Sequence, residues 1–218
     1  MEIARAEVDA DTQWRDHSID ESVKSDCLKP ENMGSWLSLP APKTPEEAFA
    51  RPDAELWKEA INVELESFNR LEVMLHRQTR MEVRARGITR RPVPLRFVLK
   101  CKRHPDGTYD KHRARLVICG HKGFMPRHEY KDTFAASPDI ETSRLVQVLA
   151  LISGWNRLAF DISVAYLQSA ADSTFEVPVM YPKGYEMTGD DGESLLAVLQ
   201  KPLYGHPEAA RAWSDTRN

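Results

Sequence analysis

The stretch LAFDISVAYLQS, residues 158–169, sets one carboxylate, Asp161, inside an apolar alternation and follows it five residues later with Tyr166. If this stretch is a strand, Leu158, Phe160 and Ile162 face one way and Ala159, Asp161 and Ser163 the other. Asp161 then leaves the apolar side among small neighbours, which gives a ligand or a metal ion room beside it. An ordinary solvated strand aspartate has the same pattern, and Tyr166 by spacing alone reads as a core aromatic at a strand-to-helix junction. A second group of interest lies upstream. HRARLVIC alternates Ala114, Leu116 and Ile118 with Arg113, Arg115 and Val117, so two guanidiniums project from one face.

These arginines belong to a predicted hairpin. Val93, Leu95, Phe97, Leu99 and Cys101 alternate with Pro94, Arg96, Val98, Lys100 and Lys102, and HPDGTY supplies a turn at Asp106-Gly107 before the arginine strand. Residues 70–131 hold 17 Lys and Arg against 5 Asp and Glu, although the 218-residue chain has a net charge of -3. A solvated surface accommodates such a charge run. Its position inside a strand pattern favours a polyanion partner.

The surrounding elements are predicted to be helices. Thr44 is placed to cap one with Pro45 at its first position and Glu47 completing a capping box. Asp53 caps the next, in which Trp57, Ile61, Leu65 and Phe68 line one face and form core. TSRLVQVLALISGW places Leu145, Val148, Leu149 and Ile152 at helical spacing, with Gly154 as the stop. Residues 1–42 show no sustained period and read as a flexible leader to one domain over 43–218. Cys27, Cys101 and Cys119 lack metal-ligand spacing and cannot pair completely, which predicts a reducing intracellular setting, cytoplasmic or nuclear. No run approaches the length of a membrane span, and the N-terminus has no apolar signal region, so a soluble, unsecreted protein without a membrane partner is expected.

Six blocks occur in order: WKEAINVELESF, FVLKCKRHPDGTYDKHRARLVICG, EYKDTFAASP, GWNRLAFDISVAYLQ, VMYPKGY and LQKPLYGHPEAARAW. Together they make residues 44–213 resemble the reverse transcriptase of Ty1/copia-type LTR retrotransposons. Their sharpest parts are RARLV, the D-x-x-x-A-Y block and LYG with RAW. The resemblance implies an α+β, partial right-hand polymerase fold: fingers and the first part of the palm, built from short antiparallel strands with packing helices. It implies RNA template, DNA primer and dNTPs as partners, and two Mg²⁺ ions as cofactors of the complete enzyme. Asp161 falls at the first catalytic carboxylate, with the Ile162 carbonyl completing a metal shell. Tyr166 falls at the steric gate, where most relatives have Phe and where an aromatic ring excludes a 2′-hydroxyl. Arg115 and Arg113 fall on the strand that grips the triphosphate, work that suits the paired donors of guanidinium; position 113 is usually Lys. Lys100 and Lys102 meet either template phosphates or water.

There are departures from the family pattern. GHKGFMPRHEY lacks a glutamine, LYGHPE stands for LYGLKQ, and LHRQTRMEVRARGITRRP replaces a W-x-L-V-x-x-P segment. No Y-x-D-D block, the source of the second catalytic aspartates, occurs in the chain. The expectation is a reverse transcriptase piece that is inactive alone and truncated before that block. The alternative is an inactive retrotransposon relic or a nucleic-acid-binding module.

Overall fold

In the computed structural model the described residues are 17–121, 123–126, 128, 130, 133–158, 161–169 and 175–217. The long amphipathic helix of the chain, α4 (Ala54–Arg70), carries Trp57, Ile61, Leu65 and Phe68 on one stripe, each 0–1 % exposed. That stripe packs on a hairpin of β2 (Val93–Arg103) and β3 (Tyr109–Ile118). The expected alternation holds: Leu95 pairs with Ile118, Phe97 with Leu116 and Leu99 with Ala114, and all six side chains are buried. Removing such a side chain from water stabilises by about 1.5–3 kcal/mol, so this layer outweighs the surface ion pairs. Gly107, at φ 87°, turns the hairpin where Asp106 accepts hydrogen bonds from Thr108.

Three shorter strands complete the sheet: β1 (Met74–Gln78), β4 (Val177–Met180) and β5 (Leu196–Leu199), in the order β1-β5-β4-β2-β3. The fold is mixed α/β, with one departure from the all-antiparallel expectation. β4 runs parallel to β2, through Val93–Val179 and Pro94–Met180, because the chain crosses over between them rather than turning back. β3 lies at the edge, and α4 covers it: the Leu116 N–H, directed away from β2, donates to Glu64 Oε1 at 2.9 Å.

The sequence predicts a flexible leader over residues 1–42; residues 1–16 lie outside the described set, and two short helices form within 17–42. Helices α1 (Glu21–Cys27) and α2 (Pro30–Leu37) form, with Asp20 capping the first and Pro30 opening the second. Trp36 is 2 % exposed, donates from its indole to the Cys27 carbonyl and packs with Cys27 and Leu56. His17 and Asn62 exchange hydrogen bonds of 2.8 and 2.7 Å, and Lys24 pairs with Glu59 at 2.7 Å. Helices of seven and eight residues hold too few turns for an apolar period to register, and their stability comes from docking on α4.

Two predicted caps take different forms. At α3 (Pro45–Phe49), Thr44 accepts from the Glu47 N–H, but the Glu47 carboxylate reaches back to the Lys43 N–H instead of Thr44, so the capping box is not closed. Asp53 stands at the start of α4 without capping it. Its carboxylate accepts from Arg51 Nε at 3.0 Å, Trp57 Nε1 at 3.0 Å and His112 Nε2 at 2.9 Å. A fully buried carboxylate is tolerable with that many donors. Burial pushes its carboxyl up, and the hydrogen bonds from His112 and Arg51 outweigh this and hold it below the usual range.

Between β1 and β2, α5 (Arg80–Ala85) is closed by a capping box between Thr79 and Glu82. The helix expected in TSRLVQVLALISGW forms as α6 (Ile140–Ile152), and Gly154 ends it at φ 65°. Its apolar residues are not core: Leu145, Val148, Leu149 and Ile152 are 46–78 % exposed and only Ala150 is buried. The strand expected over 158–163 is absent from its described part. Leu158 is 92 % exposed, and Asp161 and Ile162 have no ladder partner; Ala159 and Phe160 lie outside the described residues. Alternation makes a strand only where a neighbour accepts its backbone bonds.

Candidate nucleotide and nucleic-acid cleft

An open cleft of about 1020 Å³ lies between α4, the outer face of β3 and the segment 161–166. Arg113, Arg115, Asp161, Ile162 and Tyr166 all line it, as does Lys102. Residues far apart in sequence, singled out for separate reasons, thus converge on one surface. Lys100 is exposed on the same face of the hairpin, outside the lining. Cross-strand register explains the charge of this face: Lys100 stands opposite Arg113 and Lys102 opposite Lys111. Like charges directly opposed repel, and an anion laid across them removes the penalty.

Two features set the shape of the cleft. Val164 takes a left-handed φ of 48°, strained for a β-branched residue, and starts the 3-10 turn Ala165–Gln168 that carries Tyr166. Behind it the backbone of Leu203–Gly205 lies on the end of β3, where the Ile118 N–H donates to the Tyr204 carbonyl at 2.9 Å. That crossing requires glycines: a Cβ on Gly205 would sit 2.3 Å from the Ile118 oxygen, and one on Gly120 2.0 Å from the Gly205 oxygen.

The crossing puts Tyr204 at the centre. Its ring lies 4.8 Å beneath the Arg115 guanidinium and 5.2 Å from the Tyr166 ring, so one aromatic touches both the cationic and the aromatic side of the cleft. Among the described residues Arg115 Nε is buried without a partner, so the guanidinium holds one unsatisfied donor.

Among the other lining residues, Glu64, Tyr204 and Trp213 of α7 (Ala209–Arg217) were not assigned a role from sequence. Tyr204 sits in the LYG block, where attention went to the altered residues after it. Glu64 had a clearer signal, because counted from Trp57 it falls seven residues along the core stripe that should be apolar. Of the altered residues, His206 is buried against Phe175 with Nδ1 accepting from the Glu208 N–H and Nε2 unpartnered among the described residues. Burial pushes its pKa down to about 4, so it is neutral where an apolar residue was expected.

Among the described residues no group of three or more His, Cys, Asp or Glu side chains could hold a metal ion. No helix among the described residues is long and apolar enough to cross a membrane.

The arrangement is that of a mixed α/β domain with a cationic cleft built on a basic hairpin. Its family follows from comparison. The family model described as "Reverse transcriptase (RNA-dependent DNA polymerase)" matches residues 81–218. The retrovirus-related Pol polyprotein from transposon RE2 of Arabidopsis thaliana is 26% identical over 208 residues, covering 95% of this chain and 14% of that protein. The corresponding polyprotein from transposon RE1 of the same plant is 27% identical over 198 residues, covering 90% of this chain and 13% of that protein. The polyprotein from transposon TNT 1-94 of Nicotiana tabacum is 27% identical over 126 residues, 57% of this chain and 9% of that protein. No solved structure matches. The chain belongs to the reverse transcriptase family of Ty1/copia-type Pol polyproteins, and it spans about one seventh of the length of the first two relatives.

Proposed function

We propose that this chain is the nucleotide-gripping part of an RNA-directed DNA polymerase, the fingers and first part of the palm of a longer Pol polyprotein. The observation that carries this reading is the convergence of Arg113, Arg115, Asp161, Ile162 and Tyr166 on one cleft. Arg115 and Arg113 grip the triphosphate of an incoming dNTP, and Tyr166 lies under its sugar and rejects a 2′-hydroxyl. The opposed cations at Lys100 and Lys102 follow the phosphates of an RNA template or DNA primer. Asp161 and the Ile162 carbonyl would hold Mg²⁺ together with carboxylates from elsewhere in the complete domain, and the metal would supply charge stabilisation to phosphoryl transfer. The work is intracellular, cytoplasmic or nuclear. A second reading, an inactive retrotransposon relic or a nucleic-acid-binding module that works through the basic hairpin, is favoured by the cross-strand opposition of Lys100 with Arg113 and of Lys102 with Lys111.

Binding separates the contributions. The isolated chain is expected to bind dTTP and RNA/DNA hybrids weakly, with hybrid affinity falling steeply as salt rises. Arg115→Ala should weaken dTTP binding by about tenfold or more, the worth of a charge-assisted hydrogen bond, whereas Lys100→Ala should change it by less than about twofold. Fluorescence anisotropy and calorimetry measure both. Equal effects of the two substitutions would remove the assignment of Arg115, and salt-independent hybrid binding would remove that of the hairpin.

A further inference from the structure

Glu64 is the one acidic side chain of the cleft set into a core position, at 7 % exposure on the stripe that also carries Ile61, Leu65 and Phe68. A carboxylate there should be expelled unless something holds it, and one oxygen is held: Oε1 accepts from the Leu116 N–H, the residue immediately after Arg115. The bond ties α4 to the strand that presents the arginines. The groups acting on the carboxyl are Arg113 and Arg115 from β3 and Tyr204, which packs on Arg115; Asp161 and Tyr166 line the same cleft. Glu59 of α4 and Lys102, Lys111 and His112 of the hairpin line the same cleft farther along.

We propose that Glu64 is a positioning residue which anchors the Arg115 segment and takes up a proton when an anionic ligand seats on Arg113 and Arg115. The inference rests on the nucleotide reading of the cleft and adds to it a proton-linked step. Its physical basis is a competition. Burial disfavours the carboxylate, while the Leu116 N–H, Arg115 and Arg113 favour it, and the balance puts its pKa at about 7. A triphosphate on the arginines cancels the positive potential that keeps Glu64 ionised and adds negative charge beside it. Both effects push the carboxyl toward its protonated form. By linkage, whatever makes the ligand raise the proton affinity makes the proton raise the ligand affinity. The sign follows: ligand affinity is higher below pH 7, where Glu64 is neutral, and falls as pH rises through 7 and the carboxylate forms. The tether survives either state, because a carboxylic acid and a carboxylate both offer an oxygen to the Leu116 N–H.

Glu64→Gln separates the tether from the charge, since the amide oxygen still accepts from Leu116 and no proton can be taken up. The probe is dTTP, titrated into the wild-type chain and Glu64→Gln between pH 6 and pH 8.5. Protonation of the ligand's own phosphates is common to both chains and drops out of their ratio. The expected result is near-equal affinity at pH 6 and binding on the order of tenfold weaker in the wild type at pH 8, as for one unit charge close to a tetra-anion in a partly wet site. Calorimetry in two buffers of different ionisation enthalpy should show uptake of a fraction of a proton near pH 7 in the wild type beyond that in the variant. A ratio constant with pH, with dTTP binding intact, would overturn the proton linkage and leave the nucleotide reading standing. No dTTP binding by either chain at any pH would overturn both. Should Glu64→Gln not fold, the ¹³C carboxyl resonance of Glu64 in the wild-type chain decides: its titration midpoint should lie near 7 and move to higher pH on adding dTTP, and a midpoint that dTTP leaves in place would overturn the inference.

Discussion

Asp53→Ala is expected to destabilise the chain by about 3–5 kcal/mol, shifting its thermal midpoint down by about 6–20 °C. The carboxylate is fully buried and receives three side-chain donors: Arg51, Trp57 and His112. His112 in turn meets the Tyr109 hydroxyl at 2.8 Å, and Trp36 packs edge-on to Tyr109. One side chain thus closes a chain of contacts joining α2, α4 and β3. Truncating it leaves the His112 Nε2 and the Trp57 indole N–H without their acceptor inside the core and removes the ion pair of Arg51, whose guanidinium keeps the Pro40 and Trp36 carbonyls, and the penalty of the two buried orphans exceeds the worth of any single bond. Asp53→Asn, which keeps an acceptor oxygen, should lose less. Because its folded carboxyl titrates below its unfolded value, Asp53 contributes its ion-pair stability above the unfolded value and loses it as pH falls through the folded one. Urea unfolding of Asp53→Ala beside Glu66→Ala, an exposed helix position, is the measurement. Equal midpoints in the two variants would show that the network does not hold the helices to the hairpin.

The second large effect is at Gly205. Its backbone lies against β3 at φ 89°, and an added Cβ would stand 2.3 Å from the Ile118 carbonyl, an atom fixed in the hairpin. The left-handed conformation alone strains an L residue by about 1–2 kcal/mol. The contact forces the two backbones apart and breaks the Ile118–Tyr204 hydrogen bond as well. Gly205→Ala is therefore expected to lose about 3 kcal/mol or more and to lift Tyr204 from Arg115. Gly34→Ala in α2, where nothing lies within 4 Å of the new carbon, should instead stabilise by about 0.5–1 kcal/mol. Tryptophan fluorescence melts distinguish the two, and a neutral Gly205→Ala would mean that the crossing is loose.

What the sequence revealed follows from the range of the forces involved. The β2–β3 hairpin and α4 were legible because each has a long repeat with one buried face, at period two and at period three to four. The outer-face arginines were legible from the alternation of β3, and the resemblance singled out Asp161 and Tyr166; that all four line one cleft emerges only in the folded chain. The hub at Asp53 was not legible: a helix-start aspartate looks like a cap until His112, 59 residues away, arrives beside it. Nor were α1 and α2, which are too short to show a period. The segment 158–163 has a strand's alternation, yet its described residues form no ladder. The role of Tyr204 depends on a backbone crossing that only Gly120 and Gly205 hint at.

Primer extension tests the central claim most directly. DNA synthesis on a poly(rA) template is measured for this chain and for its fusion to the polypeptide that follows the matched segment in the RE2 relative, each with and without Asp161→Asn. If Asp161 is a catalytic carboxylate that needs partners from outside the described residues, the unfused chain does not extend the primer. The fusion does, and Asp161→Asn lowers its rate by about 10³-fold or more, because carboxylates that hold a metal pair act as a unit. Undiminished extension by the Asp161→Asn fusion, or extension by the unfused chain that Asp161→Asn abolishes, would contradict the account.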